Sequence, residues 1–348
     1  MNREISFIDA VCEATDQEME RDESVILYGL GVDDPKAIQG TTRGLAGKYG
    51  SERVFDTPLS EDAMTGVGVG MAWAGLRPIH VHIRMDFILL AANQLINMAA
   101  KSFYMFGGKL NVPLVVRAMI GKSWGQGPQH SQSLYSLFMH VPGIKIAVPT
   151  TPYDAKGCLI AAIRDDNPVL YVEHRMLHFQ KGPVPENEYE VLPGRARITA
   201  EGADITLVGI SFMQLECLRA RYELAQVGIQ AEVIDPVWLA PLDIETIIAS
   251  VKKTKRLLIV DNGWTNCGAG TTIATAVAER LSAVIKFSVK CIGFAPTPCP
   301  TTPVLEDAFY PNPSSIAAAA YKMARPDAEK WVPARLKYTE DILFKGPF

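Results

Sequence analysis

Short β-branched and aliphatic runs alternate with longer stretches of helical period through the first half of the chain, the pattern of βα units feeding a parallel sheet. Strands are expected at 24–28, 53–56, 77–82, 113–118, 144–147 and 169–173, with helices at 6–21, 60–74, 87–101 and 152–164 between them. From 178 to 195 the character changes. Gly182, Pro183, Pro185, Pro193 and Gly194 fall among charged residues and mark a linker. Beyond it, runs at 205–210, 230–234, 256–260 and 289–292 again alternate with helical stretches. The expected fold is α/β: a doubly wound parallel-sheet domain over 1–180, a linker over 181–197, a smaller α/β domain over 198–326 and an extension over 327–348.

At 348 residues the chain exceeds what one core normally holds, which agrees with two domains. A hydrophobic content of 48% with 21% charged residues and a mean hydropathy of +0.09 leaves apolar surface for a subunit interface. The net charge of −4 provides no basic face for nucleic acid. Six scattered cysteines without a C-x-x-C pair read as reduced thiols. The N-terminus lacks the apolar core of a signal peptide, and the run 63–76 falls short of the ~20 residues that span a bilayer. A cytoplasmic protein is expected, or one of an organelle matrix after removal of a transit peptide.

Several strings imitate known motifs. Gly121-Lys-Ser-Trp-Gly125 fits G-x-S-x-G, but Gly125-Gln-Gly-Pro128 cannot start the helix that a nucleophile elbow needs, so Ser123 is expected to be a loop serine. Val116 stands where a phosphate-cradling loop requires its first glycine. Gly66-Val-Gly-Val-Gly70 lies inside a helix rather than in the turn after a strand, unlike a dinucleotide fingerprint. Helix glycines cost about 0.8–1 kcal/mol each. They therefore point to close approach by a neighbour, near a site, at a subunit interface or within the domain. His80 and His82 share a strand face, but no third ligand at suitable spacing accompanies them. Polar core or interface positions are expected.

The segment Phe55-Asp-Thr-Pro-Leu-Ser-Glu61 leaves a strand and starts a helix with Ser60 at the N-cap, which makes Glu61 and Asp62 first-turn acids favoured by the helix dipole. Taken alone they need no other role. An ordered set of strings surrounds them: Asp56-Thr-Pro-Leu-Ser-Glu61, Ala74-Gly-Leu-Arg-Pro78, Gln94-Leu-Ile-Asn97, Gln129-His-Ser-Gln132, His140-Val-Pro-Gly-Ile-Lys145 and Ile163-Arg-Asp-Asp-Asn-Pro168. Ile234-Asp-Pro236, Pro241-Leu-Asp243 and Asn262-Gly-Trp264 follow. In order and spacing this set resembles the β subunits of pyruvate, branched-chain 2-oxo acid and acetoin dehydrogenases, of the transketolase-like thiamine diphosphate superfamily. The resemblance covers roughly residues 3 to 325.

It implies a pyrimidine-type domain followed by a transketolase C-terminal-type domain. It also implies roles. Glu61 matches the glutamate that hydrogen-bonds N1′ of the coenzyme's aminopyrimidine, Phe87 the aromatic stacked on that ring, and His130 the histidine near the reacting acyl group. Leu59 and Ile83 match apolar positions of the same pocket. A helix start lowers a carboxylate pKa while burial raises it, and a proton shared with the ring belongs to the pair. Leu114, Ala162, Asp165 and Asn167 match the backbone-carbonyl ligands of a monovalent cation, usually potassium.

The superfamily's Gly-Asp-Gly motif for diphosphate and Mg²⁺ is absent from this sequence. The resemblance therefore implies an α subunit that supplies it in an α2β2 assembly, a 2-oxo acid substrate and a lipoyl-bearing acyltransferase (E2) as acceptor. Arg84-Met-Asp86 and Ser123-Trp-Gly125 depart from the dehydrogenases' neighbours and leave the substrate open. Two other readings stand beside the dehydrogenase: a split transketolase-like or acyloin-forming enzyme with an aldehyde acceptor, and a non-catalytic scaffold subunit.

Overall fold

The computed structural model describes residues 3–34, 36–121 and 126–333; Ser123 and the rest of 122–125, and the tail from 334, lie outside the described residues. The described residues form two compact units, those within Met1–Ile120 and Leu137–Pro193, and those within Gly121–Ser136 and Gly194–Phe348.

The strands of the first unit's main sheet all pair in parallel. In spatial order they are Lys145–Ala147, Val169–His174, Val115–Ile120, Arg77–His82, Val25–Gly29 and Val54–Phe55. Val25–Gly29, Val115–Ile120 and Val169–His174 are buried at every residue, as a parallel sheet covered on both faces requires. Helix Phe7–Arg21 starts where the Ser6 side chain accepts the Asp9 N–H, and helix Pro152–Arg164 starts in the same way from Thr151 and Asp154. The two helices pack together and share buried Glu18, which pairs with Arg21 and Arg164. The linker is fastened back onto this unit: buried Lys156 meets Glu13 and the carbonyls of Pro185, Glu186 and Asn187, and strand Arg3–Ser6 pairs antiparallel with Lys181–Val184.

One ion pair interrupts the apolar interior of that sheet. Arg117 donates twice to Glu173, at 2.7 and 3.0 Å, and neither side chain has any exposure. Burial pushes the Glu173 carboxyl upward, but Arg117 and the adjacent His178 reverse this and hold it at about 2.

The second unit carries a five-stranded sheet in the order Ser288–Phe294, Arg256–Trp264, Ile205–Gly209, Ala231–Asp235 and Arg197–Ala200, of which only the last runs antiparallel. Helices Met213–Gln226, Ile244–Thr254 and Ala269–Leu281 alternate with its strands.

The stretch expected as one helix over 87–101 is not one. It runs as a 3-10 helix over Met85–Ala91, a π-helix over Gln94–Ala99 and an α-helix over Ala100–Met105. Apolar periodicity marked the segment as helical but carries no signal for its pitch. The widened turn coincides with a specific contact, Gln94 reaching Asp62 at 3.1 Å. π-turns of this kind commonly occur at functional sites.

The glycines of helix Glu61–Trp73 divide by environment. A Cβ on Gly68 would lie 2.1 Å from Tyr28 Oη and 3.2 Å from Leu114, one on Gly66 would touch Gln94, and one on Gly70 would meet nothing within 4 Å. Gly68 thus serves packing within the unit, where the Tyr28 hydroxyl also donates to the Met64 carbonyl at 3.1 Å. Gly68→Ala should destabilise the isolated chain by about 1–3 kcal/mol through overpacking. Gly70→Ala should stabilise it by up to about 1 kcal/mol through helix propensity. Urea midpoints that shift in the same direction in both variants would contradict this division.

Candidate active site

Strand Val54–Phe55 ends at Asp56, whose Oδ1 accepts the Gly31 N–H at 2.7 Å, and the chain turns through buried Thr57 into helix Glu61–Trp73. Ser60 stands at the N-cap, but its side chain makes no capping hydrogen bond, so the cap expected there is one of position only. Glu61 is partly exposed at the helix start, and Asp62 is tied to Gln94. The Met85–Ala91 turn, carrying a partly buried Phe87, packs against the Glu61 helix. Glu61 and Phe87 therefore belong to elements in mutual contact. Leu59 and Ile83 are 80% and 37% exposed, so this chain leaves both apolar side chains open.

Beneath lies a stack of rings. His80 is parallel to Tyr28 at 4.4 Å between centroids and 3.2 Å from Thr65 Oγ1 through Nδ1, and His82 sits 4.2 Å further along. Both are buried. Burial holds the His82 imidazole down at about 4, and burial with the neighbouring His82 lowers His80 well below its usual range. His82 Nε2 has no hydrogen-bond partner among the described residues. No cluster of three or more His, Cys, Asp or Glu side chains suited to a metal occurs among them either.

Two arginines collect at the carboxyl ends of the central strands. Arg84 is buried just after Arg77–His82 and donates to the Ile83 carbonyl at 2.6 Å, and Arg175 is buried just after Val169–His174. Burial, then repulsion by Arg84, brings Arg175 down to about 9. Sequence reasoning saw Arg84 only as a departure and missed Arg175; the carboxyl end of the strand before it was the signal that could have found it.

The residues matched to a cation site lie around one turn. The Leu114 carbonyl accepts the Val169 N–H at 3.0 Å, and that of Ala162 the Asp165 N–H at 3.3 Å. The Asp165 side chain caps the Asn167 N–H at 2.9 Å and pairs with Lys145. Arg77 donates to the carbonyls of Ile163 and Asp165, both at 3.1 Å. A carbonyl oxygen has a second lone pair, so these bonds leave acceptor capacity.

His130 follows a 3-10 turn over Gly127–Gln129 and is partly exposed. Its segment clusters with the second unit, not the first. A Cβ on Gly127, at φ +65°, would lie 2.5 Å from the Thr301 methyl. The Ser131 carbonyl accepts from Cys299 Sγ at 3.7 Å, and Asn262 Nδ2 donates to Ser133 Oγ at 3.1 Å.

Residues 3–180 match the profile of the transketolase pyrimidine binding domain and residues 194–316 that of the transketolase C-terminal domain. The chain belongs to the transketolase family. It is 42% identical over 332 residues to the acetoin:2,6-dichlorophenolindophenol oxidoreductase subunit beta of Cupriavidus necator, covering 92% of this chain and 98% of that one. Its identity to the mitochondrial pyruvate dehydrogenase E1 component subunit beta of Dictyostelium discoideum is 37% over 327 residues, covering 93% and 92%. Within the family it stands with these β subunits of thiamine-dependent dehydrogenases. A solved split gene transketolase, an inactive beta4 tetramer, shares the fold with a TM-score of 0.74 at 20% identity, over 92% of this chain and 98% of that one.

The donor set suits the coenzyme's pyrimidine: a carboxyl for a ring nitrogen, an aromatic face and open aliphatic side chains. The histidines below it give the fold a pH signature. Free histidine titrates near 6.5, so between about pH 6.5 and 4 the unfolded chain binds protons that folded His80 and His82 refuse. Stability should be full above that window and fall through it on acidification. In His82→Phe the difference between urea midpoints at about pH 7.5 and about pH 5 should shrink; an unchanged difference would exclude His82 as a source.

Proposed function

We propose that this chain is the β subunit of a thiamine diphosphate-dependent 2-oxo acid dehydrogenase. It decarboxylates a 2-oxo acid and passes the acyl group to a lipoyl acceptor, in an α2β2 assembly with an α subunit. The observation that carries this reading is end-to-end similarity to two kinds of dehydrogenase β subunit, combined with the contact between the Glu61 helix and the Phe87 turn. Among the described residues no helix is long and apolar enough to cross a membrane.

When bound, thiamine diphosphate would supply a deprotonated carbon as nucleophile for the substrate carbonyl and a sink for the electron pair left when the carboxylate departs as CO2. Glu61 would hold a proton at N1′ of the pyrimidine, Phe87 would offer its ring to the pyrimidine face, and Leu59 and Ile83 would keep water from its edges. A carboxyl is needed because only it can share that proton at near-neutral pH. His130 would move protons at the oxygen of the acyl group. Mg²⁺ and the diphosphate belong to the α subunit, since this sequence holds no Gly-Asp-Gly. A monovalent cation, potassium by the resemblance, would take the carbonyls of Leu114, Ala162, Asp165 and Asn167 and order the turn beside Arg77.

Glu61→Gln separates chemistry from binding. In the assembled enzyme the amide still meets the ring, so coenzyme affinity should stay within a few-fold while hydrogen–deuterium exchange at the coenzyme's C2 slows by about 10²- to 10⁴-fold. Exchange at the wild-type rate, followed by quenched-flow NMR, would remove Glu61 from this role.

A further inference from the structure

The row of rings beneath the candidate site has an open end. Thr65 Oγ1 lies 3.2 Å from His80 Nδ1, whereas His82, two residues further along the strand, is 3% exposed and its Nε2 has no hydrogen-bond partner among the described residues. A buried polar atom left unpaired costs stability, so this nitrogen requires a partner. The topology indicates which one. Helix Glu61–Trp73 leads from strand Val54–Phe55 to strand Arg77–His82, and both strands run parallel to Val25–Gly29, so the helix runs opposite to the strand on which it packs. From Thr65 back to Glu61 is one turn up the same helix face, about 6 Å. From His80 on to His82 is a step of about 6.6 Å up the same strand face. The two steps agree in direction and length. The Thr65–His80 contact therefore brings Glu61 to the level of His82. Other acids on these elements are engaged: Asp62 accepts from Gln94 at 3.1 Å, and the charge of Asp86 acts on Arg84.

We propose that His82 is a positioning residue for Glu61: its Nε2 hydrogen-bonds one oxygen of the Glu61 carboxyl and leaves the other to face the ligand. This rests on the reading of Glu61 as the group at N1′ of the pyrimidine. The stack of Tyr28, His80 and His82, with centroids 4.4 and 4.2 Å apart, backs the imidazole and sets its direction by packing. Burial holds its pKa down at about 4, so at neutral pH His82 brings one N–H and one lone pair. A carboxyl can meet either, accepting when ionised and donating when protonated. The bond therefore survives wherever the proton shared by Glu61 and the pyrimidine resides.

The test uses the complex with its α partner. With coenzyme left out, the imidazole nitrogen NMR signals of His82, assigned by their loss in His82→Phe, should shift in Glu61→Ala; unmoved signals would overturn the pair whatever the role of Glu61. With coenzyme present, His82→Phe should keep coenzyme affinity within a few-fold while C2 exchange slows about 10-fold, the scale of one hydrogen bond. His82→Gln keeps a donor and an acceptor and should recover most of that rate. In the Glu61→Ala background, His82→Phe should slow exchange no further. Wild-type exchange in His82→Phe, equal loss in His82→Phe and His82→Gln, or a further 10-fold loss in the double variant would each overturn the positioning role. If Glu61→Gln alone exchanges at the wild-type rate, the reading of Glu61 falls, and the nitrogen signals still decide whether His82 holds its carboxyl.

Discussion

A sheet whose strands all run the same way puts every strand exit on one edge, and the first unit's chemistry depends on that constraint. Each helix that leads back into the sheet starts at this edge, so a first-turn acid such as Glu61 arrives there together with the residues that follow Arg77–His82. Ile83, Arg84 and Phe87 are those residues, and Arg175 leaves Val169–His174 on the same side. Parallel strands must be buried on both faces, which explains why their interior is aliphatic almost throughout. Arg117 and Glu173 are its buried ion pair. An ion pair this deep adds little net stability, but loss of either partner would strand a buried charge at a cost of about 3–5 kcal/mol. It therefore restricts which arrangement of those strands can form.

The elements that the sequence disclosed are those whose signal is local. Strands begin within two residues of the β-branched runs at 25, 54, 77, 115, 145 and 169, and helix Pro152–Arg164 has the bounds that its proline and Thr151 cap suggest. What local pattern cannot carry is pitch. The stretch from Met85 to Met105 contains 3-10, π and α turns, and its π turn coincides with the reach of Gln94 to Asp62 and Gly66, a contact that depends on a helix more than twenty residues upstream. Ser60 fails in the opposite sense: its type and position suit a cap, yet its backbone conformation, φ −154° and ψ 71°, accompanies a side chain that makes no capping bond.

Site residues were legible to the degree that a family string surrounds them. Glu61 was named from such a string and Phe87 from the resemblance as a whole, and their elements are in contact. The Tyr135–Asp261 bond was not legible, because a bond between residues 126 positions apart leaves no periodicity at either end. The allegiance of the His130 segment was hidden for the same reason. By sequence it falls inside the span matched to the pyrimidine binding domain, but its ties to Asn262, Cys299 and Asp261 attach it to the second unit.

That attachment separates residues that a single series of motifs had merged. Glu61 and Phe87 lie on the first unit's helix and turn, while the His130 segment is tied to Asn262 and Cys299 of the second. Exposure at the first unit adds a further constraint. Leu59 at 80%, Leu90 at 61% and Tyr104 at 89% stand open, although full burial of one large apolar side chain is worth about 1.5–3 kcal/mol. A chain whose sequence lacks the diphosphate motif and leaves Leu59 open two residues before its candidate catalytic carboxyl is short of the same thing on both counts. A partner subunit that covers Leu59 while bringing the diphosphate site would supply both with one interface, which is why assembly and coenzyme binding should prove hard to separate.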